Sequence, residues 1–567
     1  MKIFKFFPLA CAALMMCACS SDDPGDGKGN PNVAGEAQYL AVNIVNVGAA
    51  PTRAGIEGDY ENGTPNESKI NKVRFYFFHS DDTPYILAGK TANWLEVNPV
   101  NLNDDATTDN GIEKVSDAIL VIKGIDPSAP AKMVAIANPA TVTELDNNKK
   151  SLSELQGPIV GTTYYNGDGS SATDFVMSNS VYASENKTVF ANSISGYVKP
   201  TQAEAEGAPV NVYVERVAAK VRAKLSTDPS AKFEDGASKW GAGKKGIKVG
   251  ECLGHDIYAV IDGWGLADEN TQAYINKQIT PTWTSTDLGF GSLLWTTADY
   301  HRSFWETSVP FATGGNAVKN YNFNHFTTAF GNYMFTLPNT SDTYIPTTPT
   351  NAKYNGNTRT KFLVAAHLMY ENGSTWTNAE VCTYKGIDYL GVESLKNLIA
   401  FESGYYVSDA TSTSPAGYKR ITGADIKFVK KASADDCLVV AALKDDTKTY
   451  YKNSGTEANP IWETVTVADA NNALGIETAQ VRTDGQTYYY MPISHLGTDG
   501  TIAKYGIVRN HLYDINVTGM NGFGSPVNDA TETIIPTVPD ENKSYVAAKI
   551  NVLQWRVVQQ DVNLDHK

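Results

Sequence analysis

AKINVLQWRVVQQDVNL, Ala548 to Leu564, stands almost at the end of this 567-residue chain, and its reading decides the fold. Ile550 and Val552 share one face of an extended ribbon; Leu553, Trp555 and Val557 share the other; Val558, Val562 and Leu564 return to the first. Side chains alternate faces along a strand, so these phase changes predict bulges or bends. No turn follows, and no partner strand is in view; the plain alternative is a strand that completes its own sandwich. Near the other end, YLAVNIVNV (Tyr39–Val47) puts Leu40, Val42 and Ile44 on one face and Tyr39, Ala41, Val45 and Val47 on the other. Apolar residues on both faces predict a strand buried on both sides. An isolated arginine, Arg53, follows in GAAPTRAG (48–55), a small-residue loop with a proline, suited to enter a protease cleft in extended form. Loss of Tyr39–Val47 after Arg53 leaves an apolar groove and unpaired backbone amides, an edge that another strand fills by β-addition.

Composition points the same way. Thirty tyrosines and nine tryptophans, with abundant Thr, Val and Asn, favour strands and polar loops over helices. The formal charge of −15, without a long basic run, argues against nucleic acid or an anionic membrane surface as partner. The N-terminus is a targeting segment: Lys2 and Lys5 precede the apolar run from Phe6 to Met16, too short to span a bilayer. It ends in Met-Cys-Ala-Cys-Ser-Ser, similar to a lipoprotein signal with Cys19, behind the small Ala18, as the acylated residue. Cys17 is the rival, behind the larger Met16. Two or more acyl chains on Cys19 give stable membrane anchoring. Of the remaining cysteines, Cys252, Cys382 and Cys437 are widely spaced, with no CxxC pair, and read as buried free thiols.

Residues 20–36 form a Gly/Asp/Ser-rich tether. Val73, Phe75 and Phe77 alternate with Lys72, Arg74 and Tyr76 in a half-buried strand. Ser151 and Glu154 have capping-box spacing for a short helical turn. Val210–Leu225 is one long strand or two, and the polar stretch 226–246 is the best interdomain boundary. Leu395, Leu398 and Ile399 predict one short helix. Strands resume at Cys437–Leu443, Thr487–Ile493 and Tyr505–Val517. The chain divides into a signal peptide (1–18), a lipid-anchored propeptide with the strand (19–53), an N-terminal β-domain (54–225) and a C-terminal β-domain (226–567).

Catalytic patterns are missing from the sequence: no GxSxG, HExxH or EF-hand loop appears, and no metal or other cofactor is expected. Gly241 to Lys245 lacks the spacing of a phosphate loop and reads as linker. His495 and His511 read as structural, hydrogen-bonded histidines. Trp264, Trp283, Trp295 and Trp305 suit a glycan platform, although filling a β-core is the commoner role of such rings.

VAIANP (134–139), VYVERVAAKV (212–221), YGIVRNHLYDINVTGMNGFGSP (505–526) and INVLQWRVVQQDVNL (550–564) resemble the fimbrial shaft subunits of the Bacteroidales, the type V pilins, above all the minor fimbrium subunit family. The Arg-Asn-His stretch with its glycine-rich turn is the most specific piece. The resemblance implies a mainly β fold of two sandwich-like (transthyretin-like) domains with short helices and long loops. It also implies a non-enzymatic subunit that travels to the outer membrane as a lipoprotein. An arginine-specific protease then cuts at Arg53–Ala54, and 548–564 serves as donor strand to an identical subunit in an extracellular filament. Tip and anchor proteins of the same fimbrium would be further partners, with the surface receptor unspecified. A tip or anchor role, or a glycan-binding surface lipoprotein, are the alternatives.

Overall fold

Strands are the main regular structure, and among the described residues helices are few and short. The structure, a computed structural model, describes residues between 38 and 565; the stretches 48–59, 102–111, 279–305, 307–317, 340–358, 432–437, 496–505 and 537–554, with some shorter ones, lie outside that description.

The N-terminal half is built on a nine-stranded sheet. Its main path runs Trp94–Val97, Val73–Phe78, Lys132–Ala137, Met177–Asn179, Val210–Arg216, Gln38–Val47, Ile112–Ile122 and Val100–Asn101. Val73–Phe78 corrects the half-buried expectation, since all six residues are buried. Phe75 and Phe77 enter a core with Leu40, Met133 and Val212, whereas Tyr76 and Phe78 enter a second with Val134, Ile136 and Tyr164. Arg74 is accommodated because its guanidinium donates to Glu96 Oε1 (3.2 and 3.0 Å) and to the Leu145 carbonyl (2.6 Å).

Val210–Leu225 is two strands, broken at Val217–Ala218. The first belongs to the nine-stranded sheet; the second, Ala219–Leu225, belongs to a five-stranded sheet ordered Tyr60–Glu61, Trp555–Asp565, His511–Asn521, Ala219–Leu225, Tyr333–Thr336. This sheet packs on a seven-stranded one containing Lys245–Cys252, His255–Ala267, Lys361–Asn372 and Gln486–Pro492. Val221, Ala223, Ile515 and Val517 on one side meet Ile257, Phe362 and Val364 on the other, giving a sandwich core. Trp264 is fully buried there, so it takes the core role; Trp283, Trp295 and Trp305 lie outside the described residues. Cys252 and Cys382 are buried free thiols, Cys382 pushed by burial up to about 12, and Cys437 lies outside the described residues.

The stretch 226–246 is not a loose linker. Glu234–Asp235 pairs with Lys245–Gly246, and the Trp240 ring lies so close to Gly236 and Gly246 that a Cβ there would come within 2.8 and 2.6 Å of it. Apolar ring surface covering bare backbone holds the segment on the sheet.

Inserted within the C-terminal half, Val381–Val481 forms a module with its own core of Leu395, Ile399, Tyr405, Leu443, Tyr450 and Val481. The foreseen helix is Val392–Ser403, stopped by left-handed Gly404 (φ 65°). The expected turn at Ser151 is the helix Leu152–Leu155, with Ser151 and Glu154 bonded reciprocally.

Buried charge joins the two halves. Glu67, in the short helix Pro65–Ser68, holds Lys220 Nζ at 2.9 and 3.2 Å, with side chains 1% and 3% exposed. Arg216 donates to the Glu67 carbonyl (2.9 Å) and to Asn510 Oδ1 (3.1 Å). Asn510 is left-handed (φ 54°), which ends the extended run and starts the following strand at His511 rather than Tyr505. Arg509 is buried against Glu306 and donates to the Tyr274 and Ile275 carbonyls at 2.7 Å each. His511 Nδ1 bonds the Arg509 carbonyl (2.7 Å) and His495 Nδ1 meets Tyr513 Oη (3.1 Å), the structural roles expected of both.

Removing one member of a buried ion pair strands the other. Glu67→Ala is expected to cost about 3–5 kcal/mol, read as a lower urea midpoint, while Glu67→Ala combined with Lys220→Met recovers most of it.

Candidate functional site

The site is the seat of the N-terminal strand. Gln38–Val47 pairs in parallel with Val210–Arg216, Val42 facing Val210 and Asn46 facing Val214. On its other edge it pairs antiparallel with Ile112–Ile122, from Gln38 opposite Ile122 to Asn46 opposite Lys114. Both backbone edges are therefore committed, and Tyr39 additionally exchanges two 2.8 Å bonds with Lys199. A strand in mid-sheet satisfies the amides of two neighbours as well as its own.

The side chains are less symmetrical than the sequence suggests. Leu40 (0%) and Val42 (1%) are buried among Leu120, Ile122, Val210 and Val212. On the opposite face Ala41 is buried and Tyr39 half-buried, but their cross-strand partners Ile119 and Val121 are 38% and 46% exposed. The expectation of burial on both sides holds for Ala41 and only in part for Tyr39, and the neighbouring strand is exposed on that face at Ile119 and Val121. For Ile44, Val45 and Val47 the structure describes backbone pairing only. Cys19, Arg53 and Ala54 lie outside the described residues, so the chain's path from Val47 to Tyr60 is not seen.

The terminal strand does have a partner. Trp555–Asp565 runs parallel to His511–Asn521, from Arg556 opposite His511 to Asp565 opposite Asn521, and its outer edge is met antiparallel by Tyr60–Glu61. This corrects the reading of an unpartnered strand for that portion: Leu564 (2%) is seated in the core of its own C-terminal sandwich. The strand thus sits apart from the slot that Gln38–Val47 fills. Pairing is continuous from Arg556 to Val562, so the change of face between Val557 and Val558 involves no bulge; the one irregularity lies between Val517 and Gly519 of the neighbour. Ile550, Val552 and Leu553 lie outside the described residues, and for Trp555, Val557, Val558 and Val562 the backbone alone is described.

The segment that follows the first strand, from Tyr60 to Ser68, is fastened to the five-stranded sheet. Glu61 binds Arg222 (3.0 Å), which donates through Nε and Nη2 to Asp514 (both 3.1 Å), and Glu67 follows with Lys220. Sequence reading missed these residues. Their only signal was charge inside otherwise strand-like runs, as in VERVAAKVRAKL (214–225).

Comparison with known proteins gives two family matches. Residues 39–216 match the major fimbrial subunit protein (FimA), and residues 481–561 match the C-terminal region of the type IV major fimbrial subunit protein, fimbrillin. No curated protein matches the chain. Among solved structures, a putative cell adhesion protein from Parabacteroides distasonis is 13% identical (60% of this chain, 78% of that one, TM-score 0.28). A putative cell adhesion protein from Bacteroides eggerthii is 14% identical (61% and 79%, TM-score 0.28). The tip fimbrial protein Mfa3 from Porphyromonas gingivalis is 13% identical (61% and 82%, TM-score 0.25).

Two outcomes test the seat of the strand. Leu40→Ala is expected to destabilise the full chain by about 2–5 kcal/mol in chemical denaturation. The amides of 41–46 should be among the slowest to exchange in deuterium, unlike those of an edge strand.

Proposed function

We propose that this chain, matched by major fimbrial subunit models over residues 39–216 and 481–561, is a shaft subunit of a cell-surface fimbrium that polymerises after proteolysis. In this reading the precursor reaches the outer membrane acylated on Cys19, and an arginine-specific protease cuts between Arg53 and Ala54. The cut releases 19–53, anchor and strand together, from two β-domains, 54–225 and 226–567.

The observation that supports this reading is the mid-sheet position of Gln38–Val47, a strand that precedes the arginine loop in sequence. Its loss opens a slot with one parallel wall, Val210–Arg216, and one antiparallel wall, Ile112–Ile122. The terminal strand already takes a parallel neighbour on one edge and an antiparallel one on the other within its own sheet. The same backbone geometry serves it in the slot of the next subunit. Donation requires the strand to leave His511–Asn521, so self-pairing and exchange compete. Donor and slot lie at different places on each subunit, hence the contact is head-to-tail and extends as a filament. About ten apolar side chains at ~1.5–3 kcal/mol each, before ordering costs, make such a joint slow to dissociate. Tip and anchor proteins complete the fibre in this account.

N-terminal sequencing of filaments sheared from cells is expected to begin at Ala54. Arg53→Ala should leave a membrane-bound precursor, and normal assembly by that variant places the cut elsewhere. Deletion of Ile550–Lys567 is expected to give folded monomers of lowered thermal midpoint and no filaments by electron microscopy; filaments of ordinary length refute the donor role.

A further inference from the structure

The inserted module carries a surface that neither family match covers, since both fall outside 217–480. Its four-stranded sheet is ordered Ala416–Arg420, Tyr405–Thr413, Tyr450–Asn453, Trp462–Val465. One face packs inward: Tyr405, Val407, Tyr450 and Val465 lie against the module core. Cross-strand register puts the alternate residues together on the other face. Tyr406 is opposite both Arg420 and Tyr451, Ser408 is opposite Tyr418, and Trp462 lies two residues from Thr464, the partner of Tyr451.

On that outward face the rings converge. Tyr418 stacks on Trp462 (centroids 4.1 Å apart, planes at 20°), Tyr406 meets Trp462 at 4.8 Å and Tyr451 meets Tyr418 at 5.0 Å, both edge-to-face. All four rings remain partly exposed. Arg420 is fixed against them, its guanidinium 5.2 Å from the Tyr406 ring centre, donating to Tyr406 Oη (2.8 Å) and to the Phe401 carbonyl (2.9 Å). A guanidinium carries five N–H donors, so these bonds orient it without exhausting it. Among the described residues no carboxylate pairs with Arg420. Exposed Ser408 and Thr464 add hydroxyls to the face. Among the described residues it therefore brings together four rings, hydroxyls and a cation.

Cross-strand aromatic pairs stiffen a sheet by themselves. Arg420 caps the last turn of Val392–Ser403 and lies over the Phe401 ring (4.6 Å), which positions it, but neither contact supplies a full negative charge on this chain of net charge −15. Ring faces stack on the C–H face of a pyranose, hydroxyls bond its hydroxyls, and a held guanidinium pairs with a carboxylate. We propose that this face binds an acidic oligosaccharide, a chain of pyranose rings bearing carboxylates. The binding is independent of whether the chain polymerises.

Calorimetric titration of the chain from Ser20 to Lys567 with hexagalacturonate, and with its fully methyl-esterified and hence uncharged form, tests this. Saturable binding of the acid, at least tenfold tighter than the ester, is expected. Arg420→Gln should bring the acid down to the affinity of the ester, and Trp462→Ala should weaken both at least tenfold. Trp462→Phe keeps a ring in the sheet and is expected to weaken them less; together with Arg420→Gln it decides the matter if Trp462→Ala loosens the fold. Absence of binding, equal binding of acid and ester, or binding that Arg420→Gln and the Trp462 variants leave unchanged overturns the proposal.

Discussion

A β-strand in the middle of a sheet must satisfy hydrogen bonds on both of its edges, and the rest of this molecule is arranged around that requirement. Gln38–Val47 meets it for Val210–Arg216 on one side and Ile112–Ile122 on the other, while Leu40 and Val42 fill the core beneath. Take the strand away and two rows of backbone amides and carbonyls lose their partners together with a strip of apolar wall. The strand Gln38–Val47 is thus an integral part of the fold rather than an appendage to it.

Buried charge keeps the remainder in place on the far side of the arginine loop. Tyr60–Glu61 lies along the outer edge of the terminal strand, Glu61 binds Arg222, and Glu67 is bonded to Lys220 in the interior. Each carboxylate is matched by a cation in the strand Ala219–Leu225, which passes from one half of the molecule to the other. The segment after the loop is therefore fastened to the second sandwich independently of the strand before it. The Arg509-Asn510-His511 run belongs to the same joint: Arg509 reaches backbone carbonyls at Tyr274 and Ile275, and Asn510 turns the chain and receives Arg216.

The module at 381–481 is of another kind. It has its own core and two helices, and it leaves the flanking sandwich through Arg482, which donates to the carbonyls of Val381, Phe523 and Gly524. Gly524 (φ +65°) is required at that clasp, because a Cβ would come within 2.4 Å of Thr487 Oγ1. A rigid attachment of this sort presents the Tyr406–Trp462 face at a fixed position on the C-terminal half.

What the sequence by itself determined is local and periodic. Alternating apolar residues marked the strand around Val73, Phe75 and Phe77, a run apolar on both faces marked Tyr39–Val47, and capping-box spacing marked the turn at Ser151, because neighbours along the chain set those preferences. The quoted segments also carried the likeness to fimbrial subunits. Tertiary structure alone decided which strands pair. Whether Trp555–Asp565 stands free or joins His511–Asn521 depends on a partner about forty residues away, and periodicity is blind to partners. It likewise decided that Trp264 is core while Tyr406, Tyr418 and Trp462 share an outer face. Cross-strand register brings those rings together, and register is set by the hydrogen-bonded ladder between strands distant in sequence.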